Sequence, residues 1–196
     1  MITIRQMDLK RIIAYSSVAH MNLAVLGIFA FTQQGLDGAV YLMLGHGLVS
    51  GALFICIGVL YDRYHTRLLH YYNGLATVMP LFAGVFFVFT AANMGFPGTV
   101  NFVAEFLIYV GVFDHLPMIS ILATPALVLS AVYSIWLYNR VMFGPLKISY
   151  LARFTDLSRT EASILLIFVL GVLYFGLATT DIIDPIHNAT KWILVQ

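Results

Sequence analysis

Long apolar runs separated by short polar joints set the pattern of this chain. No charged side chain occurs between Arg11 and Asp37, between Asp37 and Asp62, between Arg67 and Glu105, between Asp114 and Arg140, or between Glu161 and Asp181. A hydrocarbon layer of about 30 Å needs roughly 20 apolar residues in a helix, so each interval has room for a spanning helix. The runs predict helices over residues 12–31, 38–61, 75–113, 119–143 and 162–179, with polar joints at 32–37, 62–73, 114–117 and 144–161. Inside the third run stands GFPGT, residues 95–99. Proline lacks the backbone donor and glycine tolerates unusual dihedrals, so the helix is expected to break at Gly95, Pro97 and Gly98. The fold class is all-α: residues 1–196 form a single membrane domain, a polytopic helix bundle of about five transmembrane spans, the third a broken helix.

Charge decides between one interrupted span and two full ones in residues 75–113. With one, Arg5, Lys10, Arg11, Arg63, Arg67, Arg140, Lys147, Arg153 and Arg159 share a side and only Lys191 lies opposite. Two full spans would move Arg140, Lys147, Arg153 and Arg159 across, against the positive-inside tendency. The N-terminus is therefore expected on the matrix or cytoplasmic side, with Asp37, Asp114, Asp181 and Asp184 facing outward. Lipid cannot satisfy backbone groups freed at the break, so protein or water is expected to enclose it.

Composition narrows the function. Hydrophobic residues make up 61% and charged residues 10% of the chain, against roughly 25% charged in soluble domains. A net charge of +1 without a clustered basic face argues against a nucleic-acid partner. Cys56 is the only cysteine, so no internal disulfide and no cysteine metal site is implied. With no P-loop, no GxGxxG and no cysteine cluster, this polypeptide is expected to bind no nucleotide, flavin or iron–sulfur centre. The start, MITIRQMDLKR, is too polar for the apolar core of a signal peptide and is expected to remain.

Glu105 is the one acidic residue inside a predicted span. A charge at mid-bilayer costs about 2.5 to 3.5 kcal/mol on insertion scales, so such residues face the bundle interior and are commonly functional. A buried carboxyl that gains and loses a proton is the leading expectation. Asn101 and Tyr109, four residues to either side, share its helix face and could bond it or hold water. His20, with Ser16 and Ser17 a turn before it, and His46, with Ser50 a turn after, bring imidazoles to membrane depth. Together they suggest a wet polar axis. Gly45, Gly47 and Gly51 read as close-packing positions. Lys10 and Arg11 suit snorkelling at a helix entrance. Residues 62–70, DRYHTRLLH, read as a solvated basic connection, His115 and His187 as outer-loop residues, and Tyr133, Trp136 and Tyr138 as an interfacial aromatic belt.

The run DLKRIIAYSSVAHMNL, residues 8–23, closely resembles the stretch that opens the later helices of subunit 4 in the proton-pumping NADH:ubiquinone oxidoreductases, the respiratory complex I family. LMLGHGLVSGALF at 42–54, LYDRYHTR at 60–67 and ANMGFPGTVNFVAEF at 92–106 continue that pattern in order, and the likeness loosens after about residue 144. The resemblance implies the C-terminal part of an antiporter-like subunit with two inverted repeats, residues 75–113 being its second broken helix. It implies proton transfer at Glu105 and a central polar axis through His20 and His46. The resemblance also implies a non-redox role without catalysis of its own, with NADH, FMN, iron–sulfur clusters and ubiquinone held by other subunits. Expected partners are neighbouring antiporter-like membrane-arm subunits, lipids, and a separate polypeptide carrying the N-terminal half, since the upstream helices with the first repeat's glutamate and lysines are absent from the sequence. The mitochondrial inner membrane is the implied location, a bacterial plasma membrane the second choice. A multisubunit cation/proton antiporter shares the fold and is the alternative function.

Overall fold

In the computed structural model, which describes residues 2–146 and 155–194, local capping chemistry sets where the apolar runs become helices. Helix α1, Leu9–Phe29, starts where the Asp8 carboxylate accepts the Lys10 amide at 2.9 Å. Helix α2, Gln33–Tyr64, starts where Thr32 Oγ1 accepts the Gly35 amide at 3.1 Å and stops at His65, whose φ of 50° is left-handed. Residues 33–37, expected in a polar joint, therefore form the first turns of α2, where the threonine cap satisfies one of the freed amides. Helix α6, Arg159–Leu177, opens on a reciprocal capping box between Ser158 and Glu161.

The third apolar run is two helices. Proline at N1 fixes the start of α3, Pro80–Asn93, later than the expected residue 75. A short 3-10 turn, Leu75–Thr77, precedes it. Helix α4 is Val100–His115, and α5 is Pro117–Met142. Between α3 and α4 the backbone turns at Gly95 (φ 74°) and Gly98 (φ 92°), conformations that glycine adopts without a Cβ penalty. The break closes on itself: the Phe96 amide donates to Ala91 O and the Thr99 amide to Phe96 O, each at 3.1 Å. Enclosure is one-sided. Gly98 packs backbone to backbone against Gly176 of α6, while Phe96 and Pro97 are exposed.

Contacts at the two ends fix the path of the chain. At one end Arg63, closing α2, meets Glu161, opening α6. There Asp156 also accepts the Leu81 and Phe82 amides at the start of α3, and Phe143 after α5 accepts the Gly74 amide. At the other end Gly35 of α2 touches Gly27 of α1 and Gly111 of α4. Helices α3 and α4 together thus cross the bundle once. Among the described residues four helices, α1, α2, α5 and α6, are long and apolar enough to cross a membrane, and α3 is a shorter apolar helix. The chain is an all-α polytopic membrane bundle, with its core on α2 and α4 and apolar side chains such as Leu122, Ile167 and Leu170 facing outward from α5 and α6.

A further helix, α7, Thr180–Leu194, follows the last long one and is strongly amphipathic. Sequence patterning over long apolar windows passes over it because its apolar stripe is narrow. His187, expected in a loop, lies on α7 and pairs with Asp37. Of the three glycines expected to permit close approach, Gly45 does so: a Cβ there would lie 2.8 Å from a Val100 methyl. Gly47 has nothing within 4 Å and Gly51 only a Phe168 ring carbon at 3.9 Å. Lys147 and Arg153, and the part of the joint numbered 147–154, lie outside the described residues.

Candidate functional site

The break in the third run delivers Glu105 to the interior. One and a half turns into α4, its side chain enters the space left by the missing Cβ of Gly95, where a methyl would come within 2.6 Å of Oε2. Its other oxygen, Oε1, is 3.1 Å from Nδ1 of His20 on α1. Both residues are 4% exposed. A charge buried among apolar helices is costly unless paired, and this distance lies within the range over which a proton passes directly between heavy atoms.

The imidazole is held from its far side as well. His20 Nε2 lies 3.3 Å from the hydroxyl of Tyr133 on α5. Asn93, at the last turn of α3, donates to that hydroxyl at 3.2 Å and to Ser134 Oγ at 3.1 Å. With the proton on Nδ1 toward Glu105, Nε2 accepts from the Tyr133 hydroxyl, so both ring nitrogens have a polar partner. Tyr133 is therefore not an interfacial belt residue; it is 6% exposed and points at the buried imidazole. Trp136 packs against the core from a partly buried position, and Tyr138 stacks on Phe86.

Toward α2 the axis continues. The His20 and His46 rings lie 5.0 Å apart, centroid to centroid. His46 Nε2 is 2.8 Å from Ser17 Oγ, and its Nδ1 is buried with no protein partner. Asn101, one turn before Glu105, is fully buried and neither amide atom meets a protein partner. Buried polar atoms are satisfied in native proteins, by ordered water where protein does not reach. Gly45 makes the room Asn101 occupies.

The supporting residues expected from sequence divide. Asn101, one turn before Glu105 on the same helix, packs against Gly45 of α2 and bonds neither the carboxyl nor any other protein group. Tyr109 instead spends its hydroxyl on the Ala123 carbonyl at 2.9 Å, although it lines the same cavity as Glu105. Ser16 bonds back to Ile13 O at 2.7 Å within its own helix, and its neighbour Ser17 is the hydroxyl that meets an imidazole. Ser50 is half-buried beyond His46. Beside the site, a cavity of about 550 Å³ between α4 and α5 is lined by Gly95, Phe102, Glu105, Phe106, Tyr109 and Ser120, among others. Among the described residues no group of three or more His, Cys, Asp or Glu side chains is arranged to hold a metal.

Two polar clusters at the bundle ends escaped the sequence reading. Arg63, expected in a solvated connection, donates to both Glu161 oxygens at 3.0 and 2.7 Å and to the Thr155 and Asp156 carbonyls. At the other end, Asp37 accepts from Gln33 at 3.1 Å and from Thr190, and its Oδ2 lies 2.6 Å from His187 Nδ1. Neither pairing has a local signal, since 98 and 150 residues separate the partners.

The architecture, a polytopic bundle whose broken helix sets an acid against an imidazole in its interior, is that of a membrane-embedded antiporter-like protein. The family model described as the transmembrane region of NADH:quinone oxidoreductase and Mrp antiporters matches residues 1–132, and the chain belongs to that family. Within it, the chain is similar to a C-terminal part of NADH-ubiquinone oxidoreductase chain 4, with 49% identity to that of Marchantia polymorpha and 51% to that of Arabidopsis thaliana, each over 96% of this chain. It spans 38% of the length of those relatives. Among solved structures, a chain of respiratory complex I from Thermus thermophilus superposes with a TM-score of 0.90 at 28% identity, over 98% of this chain and 41% of that one. A chain of the Mrp complex from Dietzia sp. shares the fold, with a TM-score of 0.81 at 20% identity over 95% of this chain and 43% of that one.

Proposed function

We propose that this chain is a proton-translocating part of the membrane arm of an NADH:ubiquinone oxidoreductase, with protons relayed through Glu105, His20 and His46. The observation that carries the reading is the buried 3.1 Å contact between Glu105 and His20 beside a helix break. Redox chemistry would take place in other subunits, which hold NADH, FMN, iron–sulfur clusters and ubiquinone. This chain would supply no catalysis of its own. Turnover elsewhere would shift the shared proton between carboxyl and imidazole, with Ser17, His46 and water at Asn101 continuing the route.

The Arg63, Arg67 and Lys10 end of the bundle would face the matrix of the mitochondrial inner membrane, in keeping with the positive-inside tendency. Neighbouring antiporter-like subunits would flank the chain. The remaining length of the relatives would come from a separate polypeptide carrying the N-terminal half. Intact-mass measurement on the purified particle tests that division: detection only within a chain about two and a half times as long, as the 38% coverage requires, rules it out.

The functional test is Glu105→Gln in the assembled complex, reconstituted in vesicles, with proton uptake and NADH oxidation measured together. Proton translocation is expected to fall by roughly a hundredfold or more, the lower end of what a positioned proton-transfer group contributes. Unchanged translocation would reduce the chain to a scaffold. The Dietzia sp. likeness supports the fold of a cation/proton antiporter subunit as a second reading, and co-purification separates the two: NADH-oxidising and quinone-reducing subunits in the particle favour the first.

A further inference from the structure

At the end of the bundle where α1 begins and α2 finishes, two cavities of opposite character run into one another. One, of about 620 Å³, is polar and is bounded by Lys10, Arg11, His65 and Arg67, with Asp8 as the acidic group. The other, of about 480 Å³, is an apolar groove along Phe54, Ile57 and Gly58. Lys10, Tyr61 and Arg67 line both. A single ligand filling them would have an anionic head and an apolar tail.

The basic groups are held on a fixed frame. The Leu9 amide donates to Arg67 O at 2.9 Å and the Leu69 amide to Met7 O at 2.8 Å, which ties the start of α1 to the segment after α2. The Arg67 guanidinium lies 5.0 Å above the centre of the Tyr61 ring, a cation–π contact that orients it. Asp8 is engaged as the cap of α1, accepting the Lys10 amide. Lys10, Arg11 and Arg67 therefore face one acid, Asp8, leaving an excess of positive charge at the polar cavity.

The groove has the depth that a tail requires. From Tyr61 to Phe54 along α2 is seven residues, or roughly 10 Å at 1.5 Å per residue, which carries the groove from the headgroup layer into hydrocarbon. Gly58 leaves it open, with nothing within 4 Å of where a Cβ would stand.

We infer that these joined cavities bind one anionic phospholipid, its phosphate held by Lys10, Arg11 and Arg67 and one acyl chain lying along Phe54, Ile57 and Gly58. Charge complementarity selects the head and the apolar groove selects a lipid over free phosphate. The inference requires only that the chain be embedded in a bilayer, and so stands apart from the proton reading.

The test uses the complete particle in nanodiscs carrying a trace of phosphatidylglycerol with a photoactivatable acyl chain, followed by mass spectrometry of the labelled peptides. Labelling of residues 54–61 is expected to exceed that from the equivalent phosphatidylcholine probe. It should fall roughly fivefold for each charge removed in Lys10→Gln and Arg67→Gln, the factor equivalent to about 1 kcal/mol per basic group at an anionic surface. Excess inorganic phosphate should not displace it. Equal labelling by the two lipids would overturn the inference, as would loss of label to free phosphate, or crosslinks from this groove to another polypeptide occupying it. The comparison of lipids on the unsubstituted protein stands even where a variant fails to assemble.

Discussion

Gly95 and Glu105 face each other across the helix break so closely that a single methyl on Gly95 would lie 2.6 Å from the carboxylate. The left-handed backbone at Gly95 and the burial of the acid are thus one structural decision. Gly95→Ala should strain the turn by about 1 to 3 kcal/mol and push Glu105 away from His20. The expected outcome is assembled complex at reduced level with proton uptake lowered more than NADH oxidation. Coupled transport at the unsubstituted level would contradict that link.

Tyr133→Phe removes the hydroxyl on His20 Nε2 and leaves the ring in place. Asn93 then loses one acceptor inside the core, a cost of about 1 to 3 kcal/mol. Proton uptake is expected to slow while the helices stay assembled, and Ser134→Ala, which removes only the other Asn93 partner, should slow it less. Equal effects of the two substitutions would indicate simple loss of packing.

Arg63 and Glu161 clasp the end of α2 to the start of α6, with the Val59, Thr155 and Asp156 carbonyls completing the guanidinium's bonds. Breaking a pair this sheltered leaves an unpaired charge, and Arg63→Ala should destabilise the particle by about 2 to 4 kcal/mol. The loss would be read as a lower midpoint of thermal disassembly. Glu161→Gln combined with Arg63→Ala should cost less than the sum of the two, and strict additivity would show that the pair does not couple.

Docking of α7 depends on Asp37. Asp37→Ala deletes the acceptor shared by Gln33, His187 and Thr190, and hydrogen exchange in residues 180–194 should then speed up while exchange in α2 stays slow. Protection of α7 at its original level would mean that apolar contacts alone hold it.

Gly111 of α4 packs directly on the α2 backbone at Gly35. Gly111→Ala has no space without separating the helices and is expected to prevent assembly, whereas Gly47→Ala, facing open space, should be tolerated. Western blots of the native complex would distinguish the pair.

The sequence alone determined that this is an all-helical membrane bundle, that its third run breaks at glycine and proline, and that Glu105, His20 and His46 stand inside its apolar runs. Those properties are local, set by charge-free length, by backbone chemistry at GFPGT and by the cost of a buried charge. Only the tertiary structure decided that Ser17 and not Ser16 meets an imidazole, that Tyr133 turns inward, that Tyr109 bonds a carbonyl, and that α7 is fastened to Asp37. A polar group can choose among several partners of similar strength, and which one it meets depends on the rotation of whole helices about their axes. That rotation is fixed by packing between segments far apart in the chain, such as Gly111 on Gly35 and Gly98 on Gly176, for which no local pattern of residues gives a sign.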